Sequence, residues 1–268
     1  DGLAGAGIHP AGGTDAERLV RALRPDGLVV ASPAGTHEAY LALGLEHGLH
    51  VLCEKPLLGG GPGMGERARR LATAYADRGL HLVVNTPWPY TLVAWRALNP
   101  GVLDGAPSTF RLRLAPDSAG RRVLPVALPH ALSLLLAVAP HDAPRVEDVR
   151  LEGADEGTER LDIRFRYVAG DTDVASAVVL RRGRQQPREA GFGFDGREAL
   201  RRVHLEDYRL ELVSEGRTVP LPDPTPRLVR SFVERVSSGA AASVDPNAWP
   251  GTALLEAIDA AWPRVKTS

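Results

Sequence analysis

The stretch between Thr14 and Asn85 constrains the fold most, because short apolar runs alternate there with helix-period segments across links too short for anything else. Thr14-Asp15-Ala16-Glu17 has the form of a helix start, and Leu19, Val20 and Leu23 follow at helical spacing before Pro25-Asp26-Gly27 ends the element. Residues 28–31 read as a buried strand. Ser32-Pro33-Ala34-Gly35-Thr36 turns the chain, and residues 37–47 put Ala39, Leu41, Ala42 and Leu45 on one stripe that stops at Gly48. A second strand over 50–53, a helix over 66–77 and a third strand over 80–85 complete the series. Such a repeat buries its apolar faces only as a parallel sheet flanked by helices. The glycine-rich residues 1–13 read as a loop or frayed end.

Beyond Asn99-Pro100-Gly101 the period changes to two. Strands are expected over 109–114, 145–151, 161–168, 174–181, 191–194, 200–204 and 210–213, with a helix over 131–139 and closing helices over 227–236 and 251–261. Arg164, Arg166, Arg181, Arg201 and Arg209 alternate with apolar neighbours, which assigns them to a solvated sheet face. The fold class is α/β: an incomplete Rossmann-type parallel sheet over 1–100, then an α+β domain with a mostly antiparallel open sheet over 101–268. The closing helices are free to pack back on the first domain.

Composition narrows the partners. The charges nearly cancel, at −1, so no basic stripe is available for nucleic acid or an anionic membrane surface. The longest apolar run, 131–139, is about half the roughly 20 residues a membrane span needs. Cys53 is the only cysteine, which excludes an intrachain disulfide and, with no secretory leader, points to the cytoplasm. With no Cys pair, H-E-x-x-H or carboxylate cluster, no metal centre is expected. A small-molecule partner remains.

Parallel sheets bind ligands beyond the carboxyl ends of their strands, so the turns at residues 32–37 and 53–56 lie on the ligand side. Lys55 could exchange a proton with a substrate oxygen there, while Pro56 stiffens the turn. Only Lys55 and Lys266 among the 32 basic residues are lysine, which sets Lys55 apart, although a lysine in such a turn is also commonly just solvated. Thr36 and His37 open a helix whose free N–H groups suit a phosphate, and equally form an ordinary helix cap. The glycines of residues 59–65 and 1–7 miss the G-x-G-x-x-G register of a phosphate-binding turn.

The run Pro25-Asp26-Gly27-Leu28-Val29-Val30-Ala31-Ser32-Pro33-Ala34-Gly35-Thr36-His37, followed after one helix by Gly48-Leu49-His50-Val51-Leu52-Cys53-Glu54-Lys55-Pro56-Leu57, resembles the Gfo/Idh/MocA family, which includes glucose-fructose oxidoreductase and inositol dehydrogenase. The resemblance implies a Rossmann domain for NAD or NADP and a second, open-sheet domain that shapes the substrate site and joins homo-oligomers. It places Ser32, Pro33, Thr36 and His37 at the cofactor-side turn. Glu54 and Pro56 fall at the nicotinamide end, and Lys55 falls at the catalytic lysine. Pro129-His130-Ala131-Leu132-Ser133-Leu134 resembles the family's D-x-x-x-H-x-x-D helix, with His130 as the site histidine.

The departures are specific. Val126 and Ser133 stand where acids are usual, and Thr86-Pro87-Trp88-Pro89-Tyr90 replaces an N-x-R-F segment. Trp88 and Tyr90 fit an apolar wall for a ring-shaped substrate, and equally a packed domain junction. The family's opening strand, glycine turn and helix precede nothing in this sequence, whose first residue is Asp; a fragment of a longer chain is expected. These residues alone would offer half of the dinucleotide grip. The resemblance implies an NAD(P)-dependent oxidoreductase acting on a sugar, a cyclitol or a secondary-metabolite carbonyl or hydroxyl, with Lys55 and His130 as catalytic residues. A non-catalytic binding protein on the same fold, and transient oxidation driving elimination or hydrolysis, are the alternatives.

Overall fold

A computed structural model describes residues 15–263; the loop at 1–13, the Thr14 cap and Lys266 lie outside the described residues. Helix α1 (Asp15–Leu23) leads into β1 (Gly27–Val30), α2 (His37–His47), β2 (His50–Glu54), α3 (Met64–Asp77) and β3 (Leu82–Asn85). The three strands form a parallel sheet in the order β1-β2-β3, with Val51 opposite both Leu28 and Leu82. This is the expected strand and helix alternation, shifted by no more than two residues at its boundaries. Gly48 ends α2 in the left-handed conformation, as its position after the apolar stripe requires.

A short helix, α4 (Leu92–Leu98), leads to β4 (Thr109–Leu114) and then α5 (Val123–Val138). The remaining strands are β5 (Arg145–Glu152), β6 (Arg160–Ala169), β7 (Thr172–Arg181), β8 (Ala190–Phe194), β9 (Arg197–Val203), β10 (Leu210–Ser214) and β11 (Arg217–Pro220), followed by α6 (Pro224–Ser237) and α7 (Ala248–Asp259). The eight strands lie in the order β11-β10-β9-β8-β4-β7-β6-β5, every neighbouring pair antiparallel except β4 and β7. The chain thus has the two-domain α/β architecture expected of it.

Three elements differ from expectation. Helix α5 is 16 residues long where a helix over 131–139 was expected; it begins eight residues earlier, with Pro125 in its first turn and Pro129 inside it. With the turn before it, the segment Gly120–Val138 is long and apolar enough to cross a bilayer. In this molecule that length serves the core: Leu124, Leu128, Leu132 and Leu135 are fully buried. Tertiary packing outweighs the proline penalty. Helix α4 and strand β11 are too short to give a periodic signal.

The two sheets share one apolar core. Trp95 packs edge-on against Phe194 at 5.3 Å, and Trp88 packs against Phe192 at 5.6 Å, so the segment after β3 is fastened to strand β8. The closing helices do return to the parallel sheet. Leu228 and Phe232 of α6 cover Leu52, and α7 lies along α3 with Glu256 accepting hydrogen bonds from the Met64 and Gly65 amides at 2.9 and 2.8 Å. Two glycines that fit no phosphate-binding register are explained by close packing. A Cβ on Gly65 would lie 2.8 Å from Ala253 of α7, and one on Gly59 would lie 2.5 Å from the carbonyl carbon of Ala34. Replacement of Gly65 by leucine is therefore expected to cost about 1–3 kcal/mol in urea denaturation, as overpacking of a closed helix pair does.

Candidate active site

The carboxyl ends of β1, β2 and β3 bring together the two turns singled out in the sequence. In the turn after β1, Thr36 Oγ1 donates to the Pro33 carbonyl at 2.8 Å and lies 2.6 Å from Ser32 Oγ. Thr36 occupies the N-cap position of α2, yet its side chain closes the turn instead of capping the helix. His37 is 1% exposed, and its ring nitrogens lie 2.9 Å from the carbonyl oxygens of Pro56 and Ser32. It ties the turn after β1 to the turn after β2. Both neighbours are acceptors, so a neutral ring satisfies one and only a doubly protonated ring satisfies both. Ser32, Pro33, Thr36, Glu54, Lys55 and Pro56 thus line one edge, with His37 as the clamp beneath them.

Glu54 and Asn85 are register partners at the ends of β2 and β3, and Asn85 Nδ2 donates to Glu54 Oε1. The other amide atom, Asn85 Oδ1, is buried without a partner. A buried acceptor left free beside a carboxylate is a fitting place for an N–H donor such as a carboxamide.

Lys55 leaves the end of β2 and donates from Nζ to the Val126 carbonyl oxygen at 2.9 Å. Position 126 therefore does contact the lysine, through its backbone instead of an acidic side chain. The contact comes from the first half of α5, three residues before the internal Pro129. Burial pushes the Lys55 ammonium below the usual lysine range, and Glu54 only partly restores it. A lysine so placed gives up its proton more readily than a solvated one.

His130 lies one turn further along α5, with its ring 5.7 Å from that of Trp88. No side-chain hydrogen bond holds it among the described residues, so both ring nitrogens are free for a ligand. Burial first, then the charges of Lys55 and Arg201, depress its pKa to about 3. His130 is thus a neutral hydrogen-bonding group at ordinary pH. The expected Lys–His pair is brought together, with the lysine as its titrating member.

The structure separates two residues that the sequence grouped. Trp88 is at the site, 7% exposed, touching both His130 and the Phe192 junction, so it is wall and packing at once. Tyr90 turns away into the cluster of Leu52, Leu228 and Phe232, where Arg227 lies over its ring at 5.6 Å.

One site residue escaped the sequence. Arg201 was expected on the solvated face, yet it shares the inner face of β9 with fully buried Ala199 and is paired with Leu212, 1% exposed. Leu200, which alternation placed inward, is 41% exposed instead. Strand β9 begins at Arg197, three residues earlier than its apolar pattern suggests, and a change of phase by one residue exchanges the two faces. Buried Ala199, two residues before Arg201, was the available signal. The guanidinium of Arg201 stands 6.0 Å from the centre of the Trp88 ring.

Among the described residues no cluster of three or more metal-ligating side chains occurs. Residues 7–86 match the model of the GFO_IDH_MocA family, described as an oxidoreductase family with an NAD-binding Rossmann fold. No curated protein matches the sequence. Solved structures match over nearly the whole chain. UDP-N-acetylglucosamine 3-dehydrogenase GnnA from Acidithiobacillus ferrooxidans is 19% identical with a TM-score of 0.66, over 97% of this chain and 84% of that one. GenD2 from gentamicin A biosynthesis, in complex with NAD, is 17% identical with a TM-score of 0.67, over 99% and 84%. An oxidoreductase from Agrobacterium radiobacter in complex with NAD+, L-tartaric acid and magnesium is 16% identical with a TM-score of 0.61, over 96% and 84%. At these identities the likeness is one of fold.

The low pKa of His130 has a consequence for stability. The unfolded chain takes up a proton at this residue near its ordinary value of about 6.5, whereas the folded chain does not until about pH 3. Stability from this group is complete above the first value and is lost as pH falls between the two. His130→Phe is expected to flatten the acid limb of the denaturation profile, and the wild-type ring resonances should not titrate between about pH 5 and 8.

Proposed function

We propose that this chain, whose residues 7–86 are of the Gfo/Idh/MocA NAD-binding type, is an NAD(P)-dependent oxidoreductase that interconverts a hydroxyl and a carbonyl on a sugar, a cyclitol or a secondary metabolite. The observation that carries this reading is Lys55 Nζ, held by the Val126 carbonyl at the end of a parallel strand and facing neutral His130. The residues present suit a nicotinamide cofactor. Asn85 Oδ1 offers an unsatisfied acceptor beside Glu54, and the Ser32–Thr36 turn closes the same edge. Bound NAD or NADP would supply the hydride acceptor or donor.

The chain's own groups supply the rest. Lys55 accepts the hydroxyl proton during oxidation and returns it during reduction, and its lowered pKa favours both. His130 orients the same oxygen through a hydrogen bond without adding charge, since protonation beside Lys55 and Arg201 is unfavourable. The Val126 carbonyl aims the lysine in place of an acidic side chain. Trp88 covers the site and excludes water from it. The fold shared with a UDP-N-acetylglucosamine dehydrogenase and with a gentamicin-pathway protein holding NAD supports a sugar-derived substrate. In this reading the enzyme is cytoplasmic and homo-oligomeric through its large sheet, and would sediment at a multiple of the monomer mass.

Val126 and Ser133, in place of acids, favour a second reading: a binding protein on the same fold that performs no turnover. NADH titration separates the two, since enhanced nicotinamide fluorescence is expected for the oxidoreductase and none for the alternative. Lys55→Met should lower kcat by about 100-fold or more with little change in cofactor affinity, the loss typical of a missing general acid or base. An unchanged kcat would remove Lys55 from the chemistry. Cofactor returned in its starting redox state, with a changed product, would show transient oxidation instead of net transfer.

A further inference from the structure

The inner face of β9 carries a charge that nothing in the protein answers. Arg201 Nε is buried with no hydrogen-bond partner, and among the described residues the guanidinium makes no ion pair and donates no hydrogen bond. By contrast, Arg111, Arg113 and Arg166 in other strands each reach a carboxylate on a different strand. A cavity of about 160 Å³ opens beside Arg201, walled by Trp88, Leu210, Leu212 and Leu221. One acid, Asp223, borders the same cavity. It forms no ion pair with Arg201 and is engaged at the start of α6, where it accepts from the Thr225 amide at 2.9 Å.

The charged groups that line the cavity are Arg201 and Asp223, and Asp223 is already engaged. Trp88 stands beside both Arg201, 6.0 Å from its ring centre, and neutral His130, 5.7 Å from it. A guanidinium in an apolar wall loses hydration and regains from the protein only its contact with the Trp88 ring, so its retention is understandable when a ligand supplies the missing anion. The planar fork of an arginine suits a carboxylate or phosphate group, which it can grip through two parallel hydrogen bonds.

We infer that Arg201 is a substrate-binding residue that receives a carboxylate or phosphate of the substrate in the cavity beside Trp88, leaving the reacting hydroxyl or carbonyl carbon toward Lys55 and His130. This rests on the proposed oxidoreductase reading for the identity of the reacting end, but the anion site itself is independent of it. Substrates of this protein are thus acidic or phosphorylated derivatives, and the neutral parent sugar is a poor ligand.

The experiment compares wild-type protein with Arg201→Met and Arg201→Lys in thermal melts. Millimolar sodium glucuronate and sodium phosphate are each matched against sodium chloride of equal ionic strength. The wild type should melt about 2–4 °C higher in at least one of the two, and which one identifies carboxylate or phosphate as the ligand chemistry. Arg201→Met should show no such rise, and Arg201→Lys a smaller one. Without added anion, Arg201→Met should melt at or above the wild-type temperature, because an unpaired buried charge has been replaced by an apolar chain of similar length. A wild type indifferent to both anions, an equal rise in Arg201→Met, or a variant that melts lower than wild type would each overturn the inference. NADH titration of the wild type run alongside separates the two conclusions. Loss of NADH binding defeats the oxidoreductase reading, whereas the anion melts decide the role of Arg201.

Discussion

Burial of α5 is the constraint on which the site depends. This helix places its leucines in the core, between the large sheet and the closing helix α7, and that packing holds it in place despite the internal Pro129. The helix so held directs the Val126 carbonyl to a position at the end of β2. The Lys55 ammonium fills that position and joins the end of β2 to the second half of the molecule. One helix therefore sets the position of the lysine, presents His130 one turn later and determines which polar atoms remain free.

Electrostatics sets the charge states in this arrangement. Lys55, His130 and Arg201 each lose hydration on folding, and desolvation is the largest cause of the shift in all three. Each shift disfavours the charged form. Folding bears that cost, and the aromatic junction of Trp88, Trp95, Phe192 and Phe194 supplies part of the apolar burial that offsets it. Sites that store unfavourable charge in this way are commonly where ligands and protons are handled.

The parallel sheet was legible because both of its signals are local. A buried strand is a short apolar run, a surface helix is an apolar stripe, and the turns between them are marked by Pro33, Gly35 and Gly48 within a few residues. The Glu54-Lys55-Pro56 turn was placed correctly for the same reason, since strand direction alone fixes which end of a parallel sheet receives ligands. Less legible were elements whose stability comes from distant partners. The first half of α5, with Pro125 in its first turn, was not expected, while α4 and β11 were too short to show a period.

What the sequence determined by itself is the architecture and the turn at the end of β2 that carries Lys55. Tertiary structure alone decided that His37 is a clamp between two turns, that Tyr90 leaves the site and that Val126 contributes a carbonyl. It also decided that Arg201 turns inward. Period-two alternation offers two faces and no means of choosing between them when leucine and arginine are neighbours in a short strand. The choice was made by register, through the pairing of Arg201 with Leu212, and by the aromatic wall against which the inner face is packed.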